Sequence, residues 1–92
     1  VNDIIETEKH RLATCVARFT DPLEPRFEYV LCVWKRDKDD IPTEWVVWMH
    51  NKEDHGFYYG HYCRTLSDAV KIFEEKKGKA LLNQLKNFQF KD

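Results

Sequence analysis

Glycine, proline and cysteine occur three times each and methionine once among 92 residues, so little here marks a specialised class of protein. So little glycine and proline excludes collagen-like and low-complexity chains, and 42% apolar residues exclude a compositionally disordered one. Three cysteines are too few and too odd in number for a disulfide framework; they read as thiols in a reducing cytoplasm. No apolar run approaches the roughly 20 residues that cross a bilayer, and no signal-peptide pattern opens the chain. The expectation is a cytoplasmic domain with no membrane partner. Neither sign of charge is in excess, 15 basic residues facing 16 acidic ones, which removes the general pull toward phosphate backbones or anionic lipid. A chain of this length makes one small domain, residues 1–92, with a single core and no room for a large enclosed active site.

What is present is β-branched and aromatic residues in short segments between turn residues. Arg26 to Lys35, after the bracketed turn Asp21-Pro-Leu-Glu-Pro25, reads as a strand; so do Glu44 to His50 and Phe57 to Cys63. The polar connections, Arg36 to Pro42 and Asn51 to Gly56, favour antiparallel hairpins over crossovers. Leu12 to Phe19 fits either a helical stripe or a strand paired across the Pro22–Pro25 turn; the strand is preferred, with a short helix or loose arm before it. Thr65-Leu-Ser-Asp68 has capping-box spacing, and Leu66, Ala69, Val70 and Phe73 recur at helical intervals. A helix therefore starts near Leu66. Gly78 predicts its end, with Leu81, Leu82, Leu85 and Phe88 on a second short helix or a kinked continuation. The fold class is α+β: an antiparallel meander of three or four strands packed by a C-terminal helical segment.

Side chains alternate across a strand, and parity gives two sets. One holds Tyr29, Leu31, Val33, Trp45, Val47, Met49, Phe57, Tyr59 and Cys63; the other holds Val30, Cys32, Trp34, Val46, Trp48, His50, Tyr58, Gly60, Tyr62 and Arg64. Neither set is polar, so both faces need a cover. The mostly aliphatic first set is the natural partner of the helix. The second set, with Trp34, Trp48, Tyr58 and Tyr62 beside His50 and Arg64, has the composition of a protein-interface core; the alternative is that the final helix or the N-terminal arm packs there. On the interface reading, Trp34→Ser and Tyr62→Ser each lower monomer stability by less than about 1 kcal/mol.

Four potential zinc ligands, His50, His55, His61 and Cys63, fall around one hairpin, but their spacing matches no standard finger, and no metal or other cofactor is expected. A nucleophilic pair drawn from Cys63 with His61 or His50 lacks any mark of activation, so the expectation is a protein that is not an enzyme. Asp37, Asp39 and Asp40, and again Glu53 and Asp54, lack the EF-hand pattern and read as solvated turns. The sheet aromatics could stack nucleic-acid bases, yet no Gly-Phe-x-Phe signature and no positive charge accompany them. Nucleic acid is therefore not the expected partner.

Tyr29-Val-Leu-Cys-Val-Trp34, Glu44-Trp-Val-Val-Trp48 and Gly56-Phe-Tyr-Tyr-Gly-His-Tyr62, leading into Asp68-Ala69 and Phe73-Glu74, resemble small proteins encoded by phages and prophage-like elements over residues 27–77. The resemblance implies a sheet whose Gly-His-Tyr strand runs into an amphipathic helix. It also implies an accessory protein that binds a host protein in the host cytoplasm, for example an inhibitor of a host defence system. It implies no reaction, cofactor or ligand. The sequence thus predicts a non-enzymatic protein-binding domain that self-associates or holds a protein partner through Trp34, Trp48, Tyr58, Tyr62, His50 and Arg64, or through the acidic loop at Asp37, Asp39 and Asp40. The rivals are single-stranded nucleic-acid binding through the same aromatics and a zinc- or cysteine-dependent enzyme.

Overall fold

Hairpin chemistry decides the topology. Asp21 Oδ1 accepts the backbone N–H groups of Leu23 and Glu24 at 2.9 and 3.3 Å, and Asn51 Oδ1 accepts those of Glu53 and Asp54 at 2.9 and 3.4 Å. Each short polar side chain thus replaces a turn hydrogen bond and reverses the chain tightly. In the second turn His55 takes a left-handed conformation, φ 62°. The computed structural model describes residues 3–6, 12–34 and 44–88. In it, β1 (Asp3–Glu6), β2 (Leu12–Thr20), β3 (Phe27–Trp34), β4 (Glu44–Asn51) and β5 (Phe57–Cys63) form an antiparallel sheet in chain order, followed by one helix, α1 (Leu66–Lys86).

The α+β meander with a C-terminal helix is the architecture expected from the sequence, and Leu12 to Phe19 is the strand preferred there. The N-terminal segment differs: Asp3–Glu6 is neither helix nor loose arm but pairs with Leu12–Cys15 as a fifth, edge strand. Its Ile4-Ile5 pair is β-branched, which suits the extended backbone of a strand.

The register sorts the two parities. Leu31 pairs with Val47 and Val33 with Trp45, while Val30 pairs with Trp48 and Cys32 with Val46. Leu31, Val47 and Cys63 bury against Ala69 and Phe73 of α1, with Phe19, Tyr29, Trp45 and Ile72 at the margins. The aliphatic set is the helix side, as expected. On the other face Ala13, Cys15, Val30, Cys32, Trp34, Val46, Trp48 and Phe57 form a second buried cluster.

One irregularity alters the assignment at the far end of β5. Val47 pairs with His61 but Met49 pairs with Tyr58, so Tyr59 and Gly60 together oppose Trp48. This is a β-bulge, and one extra residue transfers every side chain beyond it to the opposite face. Phe57 therefore leaves the helix side and joins the second cluster, opposite His50, whereas Tyr58 leaves the second face. Tyr59 carries the strain with φ 55°. Gly60 permits it, since a Cβ there would sit 2.6 Å from Trp48 Nε1.

Thr65 caps α1, its hydroxyl accepting the Asp68 N–H at 3.2 Å. Gly78, expected to end the helix, lies in its interior, and α1 runs unbroken for 21 residues to Lys86, where Asn87 caps it. A helical glycine costs only about 1 kcal/mol relative to alanine. The good helix formers after it, Lys79-Ala-Leu-Leu, outweigh that cost. A Cβ at Gly78 would meet nothing within 4 Å. Gly78→Ala is accordingly expected to raise the free energy of unfolding in urea by about 0.5–1 kcal/mol; a loss of stability would show that the position carries a contact.

Candidate functional site

The second face carries a polar track laid across an otherwise apolar surface. Glu28 is the single charged residue within β3 and is 3% exposed. It stands directly opposite His50. His50 Nδ1 lies 2.8 Å from Glu28 Oε2, and Arg18 Nη1 donates to the same oxygen at 3.4 Å. The His50 ring stacks on Phe57, centroids 4.5 Å apart and planes at 19°. Glu28 thereby fixes the orientation of the imidazole while Phe57 fixes its plane.

The track continues to a cysteine pair. Cys15 and Cys32 are direct cross-strand partners, both buried and both free thiols. Cys15 Sγ also reaches the Ala17 carbonyl at 3.4 Å. The hydrogen bond from Cys32, with help from the Arg18 charge and against the effect of burial, draws the Cys15 thiol down to about 7. The Cys32 thiol moves the other way, raised by that same hydrogen bond and by burial.

The aromatic residues read as a binding face separate into two groups. Trp34 and Trp48 are 8% and 5% exposed, so they are core of this chain and not free surface. Their rings meet edge to face at 5.2 Å, and Trp48 meets Phe57 in the same way at 5.4 Å. Tyr62 leans on both indoles at 5.8 and 6.2 Å yet stays 58% exposed. Tyr58, moved off this face by the bulge, donates its hydroxyl to Asp54 Oδ2 at 2.7 Å. That bond, after the stronger effect of the Gly56 N–H, holds the Asp54 carboxyl below the usual range. His50 is engaged by Glu28 as described. Arg64 lies exposed just past β5. Asp37, Asp39 and Asp40 fall outside the described residues.

The four residues weighed as zinc ligands do not converge. His50 is on the second face, while His61 pairs with Val47 and Cys63 packs with Leu31 and Phe73 on the helix face. His50 and His55 have ring centroids 6.5 Å apart. Among the described residues no three His, Cys, Asp or Glu side chains gather as a metal ion would require. The Cys63 thiol is pushed up by burial and then by Asp68, the reverse of what an activated nucleophile needs.

Apart from Tyr62, the exposed apolar surface lies elsewhere. Among the described residues, nine of the eleven exposed large apolar side chains come from the consecutive elements β5 and α1 and the residues just after α1: Tyr58, Tyr59, Tyr62, Leu66, Val70, Leu81, Leu82, Leu85 and Phe88. Leu66 and Val70, half of the helical stripe read in the sequence, are among them, because Ala69 and Phe73 take the buried positions. Among the described residues β5 is also an edge of the sheet, one side of its backbone having no neighbouring strand there. Beside it, Tyr29, Val47, Trp48, Met49, Tyr59 and Lys76 line a cavity of about 170 Å³ on the helix side. That volume suits a single benzene-sized group.

Sequence reasoning missed Glu28, Arg18 and the opposition of Cys15 to Cys32. A lone glutamate inside an apolar strand, on the same parity as His50, was the available signal, but it becomes a contact only once the register is known. No helix among the described residues is long and apolar enough to cross a membrane. Comparison of the chain with protein-family models, with curated proteins and with solved structures returns no match.

Proposed function

We propose that the protein is a non-enzymatic protein-binding domain whose contact surface is built from β5 and α1. The observation that carries this reading is the concentration of exposed tyrosine, leucine and phenylalanine on those two consecutive elements and just past them. Large apolar rings are costly to leave in water, and tyrosine is enriched where proteins meet. The cavity beside Tyr59 accepts one side chain of a partner, and Lys76 on its rim favours a carboxylate next to that group. The surface overlaps the one read in the sequence at Tyr58 and Tyr62 but differs from it elsewhere, since Trp34 and Trp48 are interior while Tyr59 and the leucines of α1 are exposed. A second copy of the chain is the first partner we propose. The resemblance to phage-encoded accessory proteins supports a host protein as the physiological one, an inhibited defence protein being the form we favour.

Size-exclusion chromatography with light scattering at micromolar concentration is expected to give a dimer. The double variant Tyr59→Ser/Leu85→Ser, altered at residues 75% and 67% exposed, is expected to run as a monomer. Its stability should stay within about 0.5 kcal/mol per site. A wild-type monomer throughout that range rejects the self-association. Salt-sensitive binding of a single-stranded oligonucleotide, lost in the same variant, would overturn the reading in favour of nucleic acid.

A further inference from the structure

Cys15 on β2 and Cys32 on β3 stand directly opposite each other, on the sheet face away from α1. Opposed residues of an antiparallel pair have Cα atoms about 4.5–5.5 Å apart, inside the roughly 4.4–6.8 Å that a disulfide spans. Both side chains belong to the face buried in one cluster, so the sulfurs lie on the same side of the sheet, and each thiol shifts the other. The third cysteine, Cys63, packs on the opposite face of the sheet and does not compete for either partner. We propose that Cys15 and Cys32 are a modification site, a cross-strand dithiol that a small hydroperoxide closes to an intramolecular disulfide.

The surroundings divide the roles. Cys15 has Arg18 beside it and a lowered thiol, so it supplies the thiolate that attacks. Cys32 is fully buried and keeps its proton, which makes it the resolving group. Cys15 is itself only 3% exposed, so a small neutral oxidant such as hydrogen peroxide reaches it while a bulky disulfide does not. In the first step the Cys15 sulfur forms a bond to one peroxide oxygen, the O–O bond breaks, and hydroxide leaves and is protonated to water. Cys15 is then a sulfenic acid. The Cys32 sulfur next attacks the Cys15 sulfur, the S–O bond breaks, and the hydroxyl departs with the Cys32 proton as a second water. Two thiols lose two electrons in all, and one peroxide gains them.

The test treats the folded 92-residue chain with hydrogen peroxide, then denatures it in iodoacetamide and weighs it. Expected are one alkylated cysteine instead of three, a mass about 2 Da lower before alkylation, and a proteolytic fragment linking Cys15 to Cys32. Dithiothreitol should restore all three thiols. Cys63→Ser should form the same link. Cys32→Ser should leave Cys15 as a sulfenic acid that dimedone traps once the oxidised protein is denatured in its presence. Three alkylatable thiols after treatment of folded protein would overturn the proposal. So would a link through Cys63, a link only between chains, or one formed only in urea. The fragment map of the unmutated chain decides the matter even if Cys32→Ser fails to fold.

Discussion

Replacing Trp48 with alanine is expected to lower the free energy of unfolding by about 3–5 kcal/mol in urea denaturation, the cost of truncating a buried aromatic. Trp48 is 5% exposed and touches Trp34, Phe57 and Tyr62, so its loss opens a cavity that no single neighbour can fill. Trp34→Ser should cost a similar amount, contrary to the small effect that an interface reading of this residue predicts. Tyr62→Ser, at the exposed end of the same array, should cost about 1 kcal/mol or less. Stability of a domain this size is of the order of 5–15 kcal/mol, so the tryptophan variants lose a large share of it. Equal small losses at all three positions would show that the second face is not core.

The second large effect concerns the buried carboxylate. His50→Leu removes the nearest partner of Glu28, 2.8 Å away, and leaves the 3%-exposed carboxylate with Arg18 at 3.4 Å. Breaking a buried pair from one side costs about 3–5 kcal/mol, and the longer Arg18 contact that remains places the loss at the lower end of that range. Glu28→Leu alone removes that charge and should cost less, and the double variant Glu28→Leu/His50→Leu should recover most of the loss from His50→Leu. A double-mutant cycle in urea gives the coupling directly. Simple additivity of the two single losses would mean that the pair does not act as a unit.

These two results bear on the parts of the molecule that the sequence revealed least evenly. The strands from Phe27, Glu44 and Phe57 and the start of α1 at Leu66 were legible because β-branched and aromatic runs end at turn residues and Thr65 marks the cap. The assignment of the aliphatic set to the helix followed from composition. The position of Phe57 and Tyr58 was not legible, because a bulge at Tyr59 is set by the approach of Trp48 to Gly60, a tertiary contact between strands. Gly78 misled for a similar reason. A residue weak in helices ends one only when its neighbours also favour an end, and here they favour continuation.

The candidate site shows the same limit. Composition identified the amphipathic aromatics, yet it could not say which are covered by the chain's own packing. Trp34 and Trp48 lie within the second buried cluster, and Tyr59 is 75% exposed. Glu28, His50, Arg18, Cys15 and Cys32 come from three strands and meet only through register.

Hydrogen exchange followed by mass spectrometry, at concentrations below and above association, tests the central claim that β5 and α1 form the contact surface. Among the described residues no strand neighbours the outward amides of β5, and the leucines at 81, 82 and 85 lie open, so both segments should gain protection as the protein associates while β3 does not change. Protection gained on β1 and β2 with none on β5 or α1 would contradict the account.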